Sequence, residues 1–404
     1  MADRRRRGIS TGCRRHGSPR MNKPAADATY SPHGPLDFEK AEYQARIRAI
    51  QLEMEKRGAE ILLVDQIDHL AYLFGYLATA ARYQAALIPS AGEPWLIVRE
   101  LDLGTFLDQS WSRSFETFAD DEDSQDRVTR AIAQLAPKKL AVEKDSNILT
   151  IARLNQIRAG NPGMEIVDFS GVIWEHRLIK SEAELAYIRH AAAIGDAIVS
   201  AGAHSIKVGI DDRDSLAAMY EAAILHGADN TRAAIVGRLT GVDALIGGVK
   251  SVPWTHGERV FLEATPQYRG YCARLIRPAM AGKVGHADRE IARQLVSIQD
   301  RQIAAMVPGA SGGEVDAICR DEVLRNGLKA AFTQITAYTL GYQAVPRVSD
   351  HTRIMAPGQT WTFKPNMVFH VVLHTPELAF SETVVVTENG PERLSMLPRL
   401  ILSE

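Results

Sequence analysis

The sequence predicts a two-part chain, an α/β unit followed by an α+β unit. Three observations carry this. Short apolar runs of strand type alternate with amphipathic helices between residues 38 and 173. Two long helices with acidic starts follow, and a strand-rich stretch with Pro/Gly and Asn-Gly turns fills most of the remainder. In the first unit, residues 41–57 read as a helix with Tyr43, Ile47 and Ile50 on one side. Ile61 to Val64 is a strand, an apolar run at 70–73 ends on Gly75, and 85–88 and 94–98 are two more strands around a turn at Gly92. Helices near 124–136 and 150–158 flank a strand at 140–142. In the second unit, Ser181 and Glu184 form a capping box that opens a helix over 182–203, and a second helix covers 211–226. Strands at 259–263 and 271–276, helices at 286–306 and 313–326, and strands from 331 to 397 complete it.

The 404 residues carry 47 Lys and Arg against 49 Asp and Glu, a net charge of −2. Seven of the arginines crowd into residues 1–20, so the rest of the chain is acidic and offers no nucleic-acid surface. Residues 1–36 read as a disordered basic tail, with Met21 as an alternative start. The folded body divides into 37–173 and 174–404. Three cysteines, Cys13, Cys272 and Cys319, lack ligand spacing, which fits a reducing cytoplasm and argues against a disulfide framework. No apolar stretch reaches membrane-spanning length, and no Gly-rich phosphate loop occurs.

Several motifs then occur in a telling order. His176-Arg177-Leu178-Ile179-Lys180-Ser181 runs into a helix, Gly257 to Glu263 forms a strand before Tyr268-Arg269-Gly270-Tyr271, Val307-Pro308-Gly309-Ala310 joins two helices, and Glu382 to Gly390 forms a late strand and turn. Together they resemble the creatinase/prolidase/aminopeptidase P family over about residues 38–400. The resemblance implies a smaller N-terminal α/β domain, a C-terminal pita-bread domain, and a homodimer. It also implies two metal ions held by two Asp, one His and two Glu.

This chain departs from that ligand set. The first Asp position holds Glu263 and the second Arg274. The histidine falls on Tyr342, one Glu falls near Val372, and the last falls on Ser381 or Glu382 depending on a one-residue slip. Two divalent ions need oxygen-rich ligation that these residues do not supply, so no metal or other cofactor is expected. Where creatinase carries its histidine this chain has Ile246. Glu263, Gly341-Tyr342 and Met367-Val368-Phe369-His370 instead resemble the ectoine-hydrolase-like branch, while that branch's loop is only loosely echoed by residues 348–352.

The expected function is metal-independent hydrolysis of a non-peptide C–N bond in a small, carboxylate-bearing nitrogen compound: a cyclic amidine, lactam, amide or guanidino acid. Glu263 is the candidate nucleophile or base, His370 the proton carrier and Glu382 a second carboxylate. Arg274, Tyr342, Arg277 and Tyr76 are candidate substrate contacts, with Arg274 either gripping a substrate carboxylate or pairing with Glu263. The alternatives are a peptidase or lyase with shifted metal ligands (Asp350, His351, His370, His374, Glu377, Glu382) and a silent scaffold that binds a peptide or partner.

Overall fold

The computed structural model describes residues 36–79, 82–229, 232–239, 245–344 and 352–403. The basic tail, Cys13, and the loop with Asp350 and His351 lie outside the described residues, and the side chain of Ile246 is likewise not described.

The first unit is a six-stranded mixed sheet with helices on it. Its strands are β1 (Ile61–Val64), β2 (Ala85–Pro89), β3 (Trp95–Arg99), β4 (Phe115–Phe118), β5 (Lys139–Val142) and β6 (Glu165–Asp168), in the order β4-β3-β2-β1-β5-β6. Its helices are α1 (Lys40–Arg57), α2 (Ile67–Phe74), α3 (Leu103–Gln109), α4 (Ser124–Leu135), α5 (Ile151–Gly160) and α6 (Val172–Leu178). Strand β1 pairs antiparallel with β2 and parallel with β5. As a central strand it is buried on both faces, which is why Ile61-Leu62-Leu63-Val64 is continuously apolar. The apolar run at 70–73 is the centre of α2, which closes on Gly75 in the left-handed conformation.

The second unit opens with α7 (Glu182–Ser205), whose capping box joins Ser181 and Glu184 as the sequence predicts. Helix α8 (Asp212–Leu225) follows, then β7 (Ala234–Arg238), β8 (Ile246–Gly247), β9 (Arg259–Ala264), β10 (Gln267–Tyr268), β11 (Tyr271–Cys272) and β12 (Leu275–Met280). Helices α9 (His286–Ala304) and α10 (Gly312–Arg325) precede β13 (Ala337–Thr339), β14 (Ile354–Met355), β15 (Val368–His374), β16 (Ala379–Thr387) and β17 (Gly390–Arg393). The main sheet runs β14-β13-β15-β16-β12-β9-β7-β8, with β17 added on β16, and its recorded pairings are antiparallel.

Alternation along these strands sorts the side chains into two faces. On the helix-backed face, Val236, Val260, Leu262 and Leu275 pack with Ile198 and Val199 of α7. Leu373 and Phe380 pack with Leu295 and Ile298 of α9. The other face turns its Leu340, Val368 and Val385 toward the first unit, into a core shared with Phe38, Tyr43, Tyr72 and Phe74. Arg46 is the polar centre of that junction. Its guanidinium lies over the rings of Phe38 and Tyr72, donates to the Tyr72 carbonyl at 2.7 Å, and sits 3.8 Å from Glu184. The Tyr271 hydroxyl donates to Glu184 at 2.7 Å. Among the described residues, no helix is long and apolar enough to cross a membrane.

Replacing Tyr271 by Phe removes a donor from a buried carboxylate. Urea denaturation of Tyr271→Phe should show a loss of about 1–3 kcal/mol, while wild-type stability would show that water replaces the hydroxyl at no cost.

Candidate active site

Two rows of side chains cross the face opposite the helices. In the first, Tyr338 of β13, His370 of β15 and Thr383 of β16 lie side by side. In the second, Val372 of β15, Ser381 of β16, Ile276 of β12, Glu263 of β9 and Ile235 of β7 follow one another. Strand spacing puts the Glu263 and Ser381 backbones roughly 10 Å apart, on either side of Ile276.

Arg274, just before β12, ties the rows together. Its guanidinium donates to Glu263 and to the Tyr338 hydroxyl, and its ring-face contact with Tyr338 is 5.7 Å. The Thr383 hydroxyl fixes its backbone, accepting from Arg274 N–H at 2.8 Å and donating to Arg274 C=O at 2.9 Å. Of the two readings of Arg274, the ion pair with Glu263 is the one found; the guanidinium is already engaged and does not stand open to grip a substrate carboxylate. Burial draws Arg274 below the usual arginine range, and it raises the Tyr338 phenol to about 12.

His370 packs against Tyr338 with ring centroids 5.0 Å apart. Burial, reinforced by the Arg274 charge, holds its imidazole well below the ordinary 6.5, so it is neutral at physiological pH. Neither ring nitrogen has a hydrogen-bond partner among the described residues, and the same holds for Ser381 Oγ and Arg274 Nε. Buried polar atoms are ordinarily satisfied, and this group of unmet donors and acceptors on one face marks where a ligand would be received. Around them the face is hydrocarbon: Phe261, Ile276 and Ala379 are buried, and Ile235, Leu245 and Val372 half-buried.

Four expected site residues lie elsewhere. Glu382 points to the helix-backed face, since it alternates with Ser381 and Thr383. There it is fully buried, 2.8 Å from Arg277, 3.3 Å from Arg399 and 3.4 Å from Arg393. Burial raises its pKa against the pull of those arginines, and it cannot pair with Glu263 through the sheet. Arg277 shares that side, donating to the carbonyls of Ile276 (3.0 Å), Ser381 (2.9 Å) and Pro398 (3.0 Å). It is a backbone clamp rather than a substrate contact. Tyr342 stacks edge-on to Tyr271 at 5.4 Å and its carbonyl accepts from Arg177, which places it in the aromatic packing between the units. Tyr76 is buried in the first unit, donating to Gln84 at 2.7 Å and packed on Phe106. Tyr338, which the sequence did not single out, and Ser381, which it left as the one-residue alternative to Glu382, take their places. Tyr338 is the tyrosine that reaches Arg274, and Ser381 is the β16 side chain on the Glu263 face. Strand alternation through Ser381-Glu382-Thr383 holds the signal for the second, once the register is known.

The metallopeptidase family M24 profile matches residues 186–388, and the creatinase/prolidase N-terminal domain profile matches residues 46–179. The chain belongs to metallopeptidase family M24. An uncharacterized hydrolase/peptidase of Sinorhizobium fredii is 25% identical over 91% of this chain and 97% of its own length. The ectoine hydrolase of Halomonas elongata is 23% identical over 90% and 98%. Among solved structures, the prolidase from Thermococcus sibiricus superposes with a TM-score of 0.78 at 20% identity, covering 90% of this chain and 99% of its own. That similarity confirms the pita-bread fold with its N-terminal α/β domain.

The M24 family implies metal, and the donor set here does not fit it. Glu263 is tied to a fixed guanidinium, its neighbours Ile276 and Val372 are hydrocarbon, and Ser381 offers a neutral hydroxyl. Among the described residues, no three His, Cys, Asp or Glu side chains converge to hold an ion. In the shifted set of ligands, His370 and His374 share a face but Glu382 lies on the opposite one.

Arg277→Ala would leave Glu382 buried with less compensation, and should cost about 3–5 kcal/mol in denaturant titration. His370 gives a pH test. Unfolded, it binds a proton near 6.5; folded, it resists protonation. Stability therefore falls as pH drops below about 6.5, by up to about 1.4 kcal/mol per unit. The His370→Phe variant should lack that part of the slope. Subtracting its profile from that of the wild type also removes the opposite contributions of Glu143, raised by burial to about 8, and Asp65, raised to about 6.

Proposed function

We propose that this M24 member hydrolyses a non-peptide C–N bond in a small nitrogen compound without metal ions. The observation that carries the reading is the Glu263–Arg274 pair, which puts a fixed cation beside a neutral His370 whose ring nitrogens have no hydrogen-bond partner among the described residues. The extensive similarity to an ectoine hydrolase supports a non-peptide substrate.

In this reading His370 is the general base. Water attacks the carbonyl-type carbon, its proton passes to the imidazole, and the C=O electron pair moves onto oxygen. Arg274 stabilises that charge; its Nε–H is a donor without a partner among the described residues, and Glu263 and the Tyr338 hydroxyl hold the guanidinium still. The C=O then re-forms, the C–N bond breaks, and the imidazolium returns its proton to the leaving nitrogen. Glu263 thus serves as the anchor of Arg274 rather than as the attacking group. Its carboxylate is engaged in the ion pair.

The test is hydrolysis by chelator-treated protein of a panel of lactams, amides, amidines and guanidino acids. Turnover that chelator leaves intact is the expected result; hydrolysis of Xaa-Pro dipeptides that requires added divalent metal would replace this reading with a prolidase-like one, the activity named for several relatives. Arg274→Lys should lower kcat by about 10²–10³, as loss of an oriented oxyanion donor does. The kcat/KM profile should be flat from pH 6 to 8, with an acid limb well below 6.5.

A further inference from the structure

We infer, building on the hydrolase reading, that the substrate is uncharged and alkyl-bearing: a neutral amide or lactam rather than a carboxylate, amidinium or guanidinium compound. Glu263 and Arg274 cancel each other, and the guanidinium is held from two sides by Glu263 and Tyr338. His370 is neutral. Beside them the face offers the Ser381 hydroxyl and the hydrocarbon of Ile235, Phe261, Ile276, Val372 and Ala379. Among the described residues, Arg274 is committed to Glu263 and Glu263 to Arg274, so a carboxylate or an amidinium seated there would have to compete for a group that is already paired. Burying either without a partner is costly.

What the face does match is a group with one polar end and a hydrocarbon body. The unpartnered Arg274 Nε–H suits a carbonyl oxygen, and Ser381 Oγ with the His370 ring nitrogens suits an amide N–H and the attacking water. Ile235 and Val372, the half-buried members, stand in register beside Glu263 and Ser381 respectively, so an alkyl flank would rest on them while the amide faces the polar atoms. The reaction then takes a neutral amide and water to a carboxylate and an ammonium product. The carboxylate and ammonium, on two products from an acyclic amide and on one ring-opened product from a lactam, are poorly held by the same surface, which favours release.

The experiment uses matched compounds on the full-length, chelator-treated protein: a lactam or acyclic amide with alkyl groups of increasing length, the same skeleton bearing a carboxylate, and its amidine analogue. Binding is read by calorimetry and turnover by amine release. The neutral alkyl series should be preferred at least 100-fold in kcat/KM, rising about three- to fourfold per methylene until the apolar surface is covered. Ile235→Lys places an ammonium beside Glu263 and should shift preference toward the carboxylate compound. Because that variant risks misfolding, the near-isosteric Val372→Thr provides a second reading, a reduced gain per methylene without change in the pH profile. Preference of the wild type for the carboxylate or amidine compound overturns the inference while leaving metal-independent C–N hydrolysis intact. Metal-dependent dipeptide hydrolysis overturns both. Binding of neither class by calorimetry also overturns it.

Discussion

The arrangement of this site depends on one buried ion pair. Glu263 and Arg274 occupy the two positions that the sequence resemblance aligns with metal-ligating aspartates, and each makes the other tolerable away from water. A guanidinium brings one permanent charge with directional donors, where a metal pair would bring several charges and exchangeable coordination. The neighbouring side chains follow from that substitution. With the positive charge delivered by the protein itself, no ring of carboxylates is needed to collect it, and hydrocarbon at Ile276 and Val372 is compatible with a closed, dry face. The neutral state of His370 is a further consequence. Burial alone disfavours imidazolium, and the adjacent Arg274 charge adds to the effect.

The sheet separates two jobs that residue type alone would merge. Ser381 and Glu382 are adjacent in sequence, yet one looks toward Glu263 and the other into a cluster of arginines behind the sheet. The rear cluster is structural in the most direct sense. Arg277 binds the carbonyls of Ile276 and Ser381, so the guanidinium on one face fixes the backbone that presents side chains on the other. Breaking it loosens the site without touching a substrate. That explains how a charged residue can be indispensable to the site's geometry while taking no part in its chemistry.

The architecture was readable from the sequence because its signals are local and repeated. A capping box at Ser181, an apolar central strand at Ile61 to Val64 and the ordered motifs from His176 to Gly390 each restrict the chain independently, and they agree. Glu263, Arg274 and His370 were also within reach, since strand motifs fix their positions. The remaining residues depended on quantities that sequence does not carry. Whether Ser381 or Glu382 faces inward turns on a single step of strand register, and one step exchanges the two faces. Tyr338 and Tyr342 are four apart with similar surroundings in sequence. Only the pairing of β13 with β15 puts Tyr338 beside His370, and only the packing on Tyr271 removes Tyr342 to the junction between the units. Tyr76 was a candidate substrate contact on a loop of the first unit, whereas its ring is buried there and its hydroxyl is taken up by Gln84.

The pita-bread sheet is held by hydrocarbon on its helix-backed face and by the aromatic junction around Arg46, apart from the face that carries Glu263, Arg274 and His370. A chain can therefore exchange every metal ligand and retain the scaffold at little cost in stability. What it cannot do is exchange them one at a time without passing through a buried, uncompensated charge. Glu263 and Arg274 together are neutral, so the pair avoids that charge beside the hydrocarbon of Ile276. Returning Arg274 to an acid would then place two carboxylates beside hydrocarbon, a combination suited neither to metal nor to the neutral ligand inferred above.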